Sequence, residues 1–203
     1  MNPSKTLLRH YLRSRRSDLS DSVRANHDEA IGRQVLQLIN SRQAQRVACY
    51  WPFNGEPDIT PVYKQLMADG HGLALPVISG KSDHRMQFHS WREDTELDKN
   101  SYGIFEPQKT APIALSSVDI LIMPLVGYDL FGNRLGMGGG YYDRCLEPLR
   151  NKSAPLRVGI AYSLQEIDPI DKNKWDIPLH GLVNEHGWFT FVSQEQLSTL
   201  VEG

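Results

Sequence analysis

The segment Arg134-Leu-Gly-Met-Gly-Gly-Gly-Tyr-Tyr-Asp-Arg144 puts four glycines into five residues, between an arginine and an aspartate. Glycine loses more conformational freedom on ordering than any other residue, so such a run signals a sharp bend or a close approach of backbone to a ligand. Amides freed in a bend of this kind suit phosphate oxygens. Arg134 adds a cation, and Asp143 is placed to hold Mg2+, because magnesium sites combine one or two carboxylates with substrate oxygens. Two familiar phosphate motifs fail here. A P-loop requires GxxxxGK, and the segment holds no lysine; GxGxxG needs a glycine where Tyr141 stands and must directly follow a strand. A tight turn with Asp143 as a helix cap accounts for the glycines, but not for Arg134 and two tyrosines beside them.

A second chemical pattern lies at the N-terminus. Lys5, Arg9, Arg13 and Arg16 fall at spacings of four, four and three with no acid among the first sixteen residues. That makes a basic helical stripe, with Leu8, Tyr11 and Leu12 as the neighbouring apolar face. A transit peptide shares this composition, but the helical periodicity explains it better. A solvated helix face is the plain alternative to a ligand-binding one. His84 and His89 are five apart, and the seven histidines show neither HExxH nor zinc-finger spacing, so no zinc site is expected.

The whole chain bounds these possibilities. Its 203 residues suit one domain, and 40% hydrophobic with 23% charged residues is ordinary for a globular protein. A net charge of -2 gives no bulk electrostatic case for nucleic acid. No apolar run approaches the roughly 18 residues of a membrane span. Two cysteines, Cys49 and Cys145, are too few for a disulfide framework and favour a reducing, cytoplasmic compartment.

The elements that must position these groups can be read from periodicity. Residues 4–16 and about 21–40 read as helices, capped by Ser4 and by Ser20 or Asp21. A strand is expected over 46–52, a helix over about 59–69 closed by Gly70, and strands over 72–78 and 86–91. Residues 92–117 are polar and broken by Gly103, Pro107 and Pro112, and read as loop. Val118–Val126 is apolar almost throughout, as in a strand covered on both faces of a parallel sheet. After the glycine segment come a helix over about 141–150, a strand over 157–162 and a last strand over 188–192. Interleaved strands and helices predict an α/β, Rossmann-like layered fold, with a mostly parallel central sheet flanked by helices and an N-terminal helical segment.

With these residues in place, the chain resembles the 5-formyltetrahydrofolate cyclo-ligase (5,10-methenyltetrahydrofolate synthetase) family. Asn133–Asp143 resembles the family's highly specific glycine signature. Lys5-Thr-Leu-Leu-Arg9 is similar to its N-terminal Lys-x-x-x-Arg, Tyr50–Asp58 to its first-strand segment with a following glutamate, and Val118–Pro124 to the strand leading into the signature. The resemblance implies one cyclo-ligase domain over 1–203, with helices 1–40 packed on the α/β core. It also implies ATP- and Mg2+-dependent conversion of 5-formyltetrahydrofolate to 5,10-methenyltetrahydrofolate, through a phosphorylated formyl intermediate and attack by N10. Residue by residue, it implies ATP contacts from Lys5, Arg9, Arg134, Leu135, Gly136, Met137, Gly138, Gly139, Gly140, Tyr141 and Tyr142, with Arg134 and Tyr141 at the reacting groups. Trp51, Phe53, Glu56 and Tyr141 are implied for the folate. Glu56 can accept two parallel N–H bonds from an amino-pyrimidine edge, while Trp51 and Phe53 offer apolar surface to the ring; packing at a strand end is their plain alternative. Asp143 is the first implied Mg2+ ligand and Asp176 the second, with Asp168 and Asp171 as nearby alternatives. Met137 and Gly139 stand where some members carry basic residues, so such side-chain contacts do not transfer.

The partners expected are therefore ATP and 5-formyltetrahydrofolate, with or without a polyglutamate tail. The chain is expected to be a cytoplasmic monomer without nucleic-acid or membrane partners. Two other classes share the nucleotide features: a ligase or kinase with another acceptor, separable by replacing the Trp51–Glu56 contacts, and a non-catalytic sensor, separable by turnover.

Overall fold

The computed structural model describes residues 4–79 and 84–191. Its elements in chain order are α1 (Lys5–Ser17), α2 (Asp21–Ser41), β1 (Arg46–Ala48), α3 (Thr60–Ala68), β2 (Gly72–Ser79), β3 (Arg85–Trp91), β4 (Leu97–Lys99), β5 (Phe105–Pro107), β6 (Pro112–Ile113), β7 (Ile120–Pro124), β8 (Gly127–Tyr128), β9 (Arg134–Leu135), α4 (Tyr141–Leu146), β10 (Leu156–Ile160), β11 (Gly181–Asn184) and β12 (Gly187–Thr190). Local chemistry sets several boundaries. Ser4 Oγ accepts from Leu7 N and Ser20 Oγ from Val23 N, each satisfying an orphan amide at a helix start. Pro61 sits in the first turn of α3, where its missing N–H costs nothing, and Gly70 takes the left-handed conformation just past the helix end, at φ 84°.

Eight strands form one mixed sheet in the order β12-β11-β10-β7-β1-β2-β3-β6. The five central strands β11, β10, β7, β1 and β2 run parallel, and β12, β3 and β6 add antiparallel edges. The fold is thus α/β with a mixed, mostly parallel central sheet, as expected. Side chains of β7 alternate between two cores. Ile120 and Ile122 face one cluster with Ile31 and Val35 of α2 and Val62 and Leu66 of α3. Leu121 and Met123 face the other, with Leu146 of α4 and Leu182 of β11. Each such buried side chain contributes roughly 1.5–3 kcal/mol, which makes β7 the central anchor of both layers.

Strand order reverses at β1. The chain leaves β1 through α3 for β2 on one side and later returns as β7 on the other. In an open α/β sheet, the crevice beyond the carboxyl ends at such a reversal is where ligands bind. From those two ends run Tyr50–Glu56, after β1, and the β8–β9 hairpin with the glycine segment, after β7. α1 lies across this end, anchored by Leu12, which is buried with Val126 and Leu135.

Several expectations need correction. β1 ends at Ala48 rather than near residue 52, and the helix after the glycine segment closes at Leu146 before a 3-10 turn at Glu147–Leu149. The 92–117 stretch carries β4, β5 and β6, whose two or three residues are too short to show alternation. β11 was not expected; its four residues are all buried, so it shows no alternation. Of the expected last strand, Val192 lies outside the described residues. The basic stripe on α1 is also interrupted: Arg16 is only 2% exposed, because the last turn of α1 is covered by the chain after β1 and by the end of β7. No helix among the described residues is long and apolar enough to cross a membrane.

Gly181 at the start of β11 is set by packing. A Cβ there would lie 2.5 Å from the Phe189 carbonyl oxygen on the paired strand and 2.2 Å from the Trp188 ring. Gly181→Ala is expected to cost about 2 kcal/mol and lower Tm by about 4–8 °C. A thermal melt within about 1 °C of the parent would show that this edge yields freely.

Candidate active site

Beyond the carboxyl ends of β1 and β7 lies a cavity of about 570 Å³. One flank is the glycine segment from Arg134 to Asp143, joined by Lys5 and Arg9 of α1 and by Asp176. The other carries Trp51, Phe53 and Glu56. The residues given a site role from sequence, apart from the two alternative acids Asp168 and Asp171, therefore line this one cavity. Of the three alternative acids, Asp176 lines it, and Asp168 and Asp171 are not among its lining residues.

The glycine segment is shaped by backbone that other residues resist. Gly138 and Gly140 have φ of 99° and 66°, in the left-handed region. A Cβ at Gly139 would lie 2.7 Å from the Tyr141 ring. Arginines from two directions hold the curve: Arg9 Nε donates to the Gly136 carbonyl at 2.7 Å and Arg144 Nη1 to the Gly139 carbonyl at 2.6 Å. With its carbonyls turned to these cations, the segment has a positively charged environment suited to an anionic ligand.

Arg134 and Asp143 form a half-enclosed pair at 2.6 Å, with side chains 7% and 23% exposed. Both also grip the Ile177 peptide: Arg134 Nη1 donates to its carbonyl, and Asp143 Oδ1 accepts from its N–H at 3.0 Å. That double grip carries the preceding residue, Asp176, to the cavity. Asp176 Oδ2 accepts from Asn173 N at 2.8 Å and stands 3.9 Å from Lys5 Nζ. Residues over a hundred positions apart in sequence thus share one charged rim.

On the opposite flank, Phe53–Glu56 is a tight turn. Glu56 N donates to the Phe53 carbonyl, and Phe53 N donates back to Glu56 Oε2 at 3.1 Å. Asn54 and Gly55 both have positive φ, 50° and 75°, the pattern of a type I′ turn, for which Asn-Gly is the favoured pair. Burial pushes the Glu56 carboxyl up to about 7, opposed by the Arg16 charge and the Phe53 N–H. Trp51 is wedged edge-on between Trp91 and Phe105, at centroid distances of 5.8 and 5.1 Å, which fixes its ring at the cavity wall.

Tyr141 meets two further lining residues. Its hydroxyl lies 2.9 Å from that of Tyr102, and its ring lies 5.4 Å from His84. Burial and the Tyr102 hydrogen bond push its phenol up to about 12, so at neutral pH it is a hydrogen-bonding hydroxyl and not a base.

The sequence reading missed further lining residues, among them Tyr50, His84, Tyr102, Glu106 and Trp175. Tyr102 and Glu106 lie around the β4–β5 hairpin, whose folding over the cavity leaves no periodic signature. Glu106 is 6% exposed and accepts from Ile78 N and Asn100 Nδ2 at 2.8 and 2.7 Å. Trp175 did carry a signal: a large apolar residue in a charged stretch beside Asp176, and it is 64% exposed.

Comparison with known proteins converges on one group. The family model described as the 5-formyltetrahydrofolate cyclo-ligase family matches residues 1–185. The chain is 34% identical over 178 residues to the 5-formyltetrahydrofolate cyclo-ligase of Haemophilus influenzae, across 87% of this chain and 95% of that protein. It is also 34% identical over 175 residues to the protein of the same name from Escherichia coli K12, across 85% and 95%. Among solved structures, the NMR structure of Aquifex aeolicus 5,10-methenyltetrahydrofolate synthetase superposes with a TM-score of 0.79 at 31% identity, over 92% of both chains. The glycine segment, the crevice at the strand reversal and these matches over most of the chain lead to one assignment: the chain belongs to the 5-formyltetrahydrofolate cyclo-ligase family and is a ligase of that type.

Proposed function

We propose that the protein converts 5-formyltetrahydrofolate and ATP into 5,10-methenyltetrahydrofolate, ADP and phosphate. The observation that carries this reading is the joining, in one cavity of about 570 Å³, of a cationic glycine curve with an aromatic pocket that ends in a carboxylate. In the first step the formyl oxygen attacks the γ-phosphorus of ATP; an O–P bond forms and ADP departs. N10 of the folate then attacks the formyl carbon and loses its proton. The C–O bond breaks, phosphate leaves, and the five-membered ring is closed. Phosphorylation turns a poor oxygen leaving group into a good one, and transfer of this kind depends mainly on positioning and charge neutralisation.

In this reading the amides of Gly136–Tyr142 and the cations of Lys5 and Arg9 hold the phosphates, with Leu135 and Met137 in the same loop. Arg134 meets the charge that develops on the transferring group. Tyr141 lines the formyl site beside the reacting groups. Trp51 and Phe53 cover the pterin, and Glu56 accepts from its amino-pyrimidine edge. The whole of 1–203 acts as one cyclo-ligase domain, with helices 1–40 supplying Lys5 and Arg9 to the core. The protein works as a cytoplasmic monomer, with no nucleic-acid or membrane partner.

Mg2+ fits the residues present in a restricted sense. No group of three or more His, Cys, Asp or Glu suited to a metal occurs among the described residues. Asp143 and Asp176, however, both line the phosphate flank. Two carboxylates are what a magnesium ion uses when phosphate oxygens and waters complete its shell. Asp143 and Asp176 would hold it, and it would supply neutralisation of phosphate charge.

The reaction is tested by the near-ultraviolet absorbance of the methenyl product on mixing protein, 5-formyltetrahydrofolate, ATP and Mg2+. Product that requires both ATP and Mg2+ is expected. Folded, ATP-binding protein that makes none would overturn the proposal. Within it, Gly138→Ala places a side chain at φ 99°. The variant is expected to raise KM for ATP about tenfold, since strain of 1–2 kcal/mol displaces the loop. An unchanged KM for ATP would remove this residue from the nucleotide loop.

A further inference from the structure

Arg16 is among the largest side chains that are almost wholly enclosed. Burying a guanidinium costs several kcal/mol unless it is well paired, and a leucine at the same position would incur no such cost. Its hydrogen-bond partners are two carbonyls: Nη2 donates to Asn54 O at 2.7 Å and Nη1 to Leu125 O at 3.4 Å, while Nε has no partner. Those carbonyls belong to two segments that bound the cavity, the turn bearing Glu56 and the residue after β7. Arg24 of α2 braces the same turn from outside, donating to Gly55 O at 2.9 Å and to the backbone carbonyl of Arg16 at 2.8 Å.

We propose that Arg16 is a positioning residue for Glu56: by bridging the Asn54 and Leu125 carbonyls it holds the Phe53–Glu56 turn against the end of β7, and its charge keeps the Glu56 carboxylate ready to receive a cationic or N–H-bearing edge. The functional part rests on the folate reading above; the coupling between the two side chains does not. Among the described residues, the titratable groups that interact electrostatically with Glu56 are Arg16 from α1, Tyr50 beyond the end of β1, and Tyr142 from α4. Of these, Arg16 alone is a cation. It acts against the burial that otherwise favours the neutral acid. Lysine retains a positive charge but lacks the planar fork that spans two carbonyls, so Arg16→Lys separates placement from charge.

Steady-state kinetics of the parent, Arg16→Lys, Glu56→Gln and the double variant test the functional part. Arg16→Lys is expected to raise KM for 5-formyltetrahydrofolate about tenfold, with kcat and KM for ATP within about twofold. In the Glu56→Gln background the same change should cost less than about twofold, since residues acting through one another do not add. An equal rise in both backgrounds, or parallel losses in kcat and KM for ATP, would make Arg16 a general structural residue and overturn the proposal. The coupling is read without substrate, by carboxyl-carbon NMR of glutamate-labelled protein, with Glu56 assigned by its loss in Glu56→Gln. Arg16→Met should raise its titration midpoint by about one pH unit, and Arg16→Lys should leave it near the parent value. An unmoved midpoint in folded Arg16→Met overturns the proposal; if that variant does not fold, the kinetics of Arg16→Lys decide. A parent protein that makes no methenyl product, but shows the shifted midpoint, fails the folate reading and keeps the coupling.

Discussion

Arg134→Ala is expected to lower kcat by about a thousandfold while the protein stays folded and still binds ATP. Arg134 lines the cavity beside the glycine curve, so the proposed mechanism places its guanidinium where charge builds during phosphoryl transfer. An interaction that strengthens in the transition state appears in kcat, whereas uniform binding appears in KM. The same side chain also has a structural role, because its bonds to Asp143 and to the Ile177 carbonyl hold the 173–177 segment at the rim. Loss of Arg134 leaves the partly enclosed Asp143 without its cation, at about 1–3 kcal/mol. Arg134→Lys distinguishes the two roles. A lysine keeps charge near Asp143 but loses the fork, so it should recover much of the stability and little of the rate. A kcat for folded Arg134→Ala within about tenfold of the parent would remove Arg134 from the transition state.

Glu56→Gln should raise KM for 5-formyltetrahydrofolate about a hundredfold at pH 8, the worth of two charge-assisted hydrogen bonds. The sign of its pH dependence follows from the enclosed carboxyl, pushed up to about 7 by burial. Below that pH the group is protonated and loses the charge that recognises the amino-pyrimidine edge. In the parent protein, kcat/KM for the folate should therefore rise as pH increases through about 7, while Glu56→Gln stays flat across the same window. Stability runs the other way. The folded-state value lies above the ordinary 4.5, so the folded chain holds the proton more tightly than the unfolded one. This contribution is complete below 4.5 and is lost as pH rises through about 7. A parent profile parallel to that of Glu56→Gln would sink the assignment of Glu56 to the folate.

The individual segments were legible from the sequence to very different degrees. Helix caps at Ser4 and Ser20 follow from side-chain chemistry that acts within three residues, and they stand where the sequence places them. The β7 run could be read because burial on both faces demands an unbroken apolar stretch. The β4–β5 hairpin, β6 and β11 could not, since pairing across the chain stabilises strands too short to carry a period of their own.

The site divides along the same line. What the sequence by itself determined is the inventory: the glycine curve, Asp143 immediately after it, the Lys5–Arg9 spacing, and the aromatic turn that ends in Glu56. These are local patterns, set by backbone freedom and helical pitch. Tertiary structure alone decided which groups meet and which are charged. It brought Asp176 to the rim through the Ile177 peptide and folded Tyr102 and Glu106 over the cavity. It also turned Arg16, the last member of an apparently exposed basic stripe, inward beneath the turn of Glu56. Burial and long-range hydrogen bonds govern these outcomes. Both depend on the strand reversal at β1, which brings the ends of β1 and β7 together and which no local window of residues encodes.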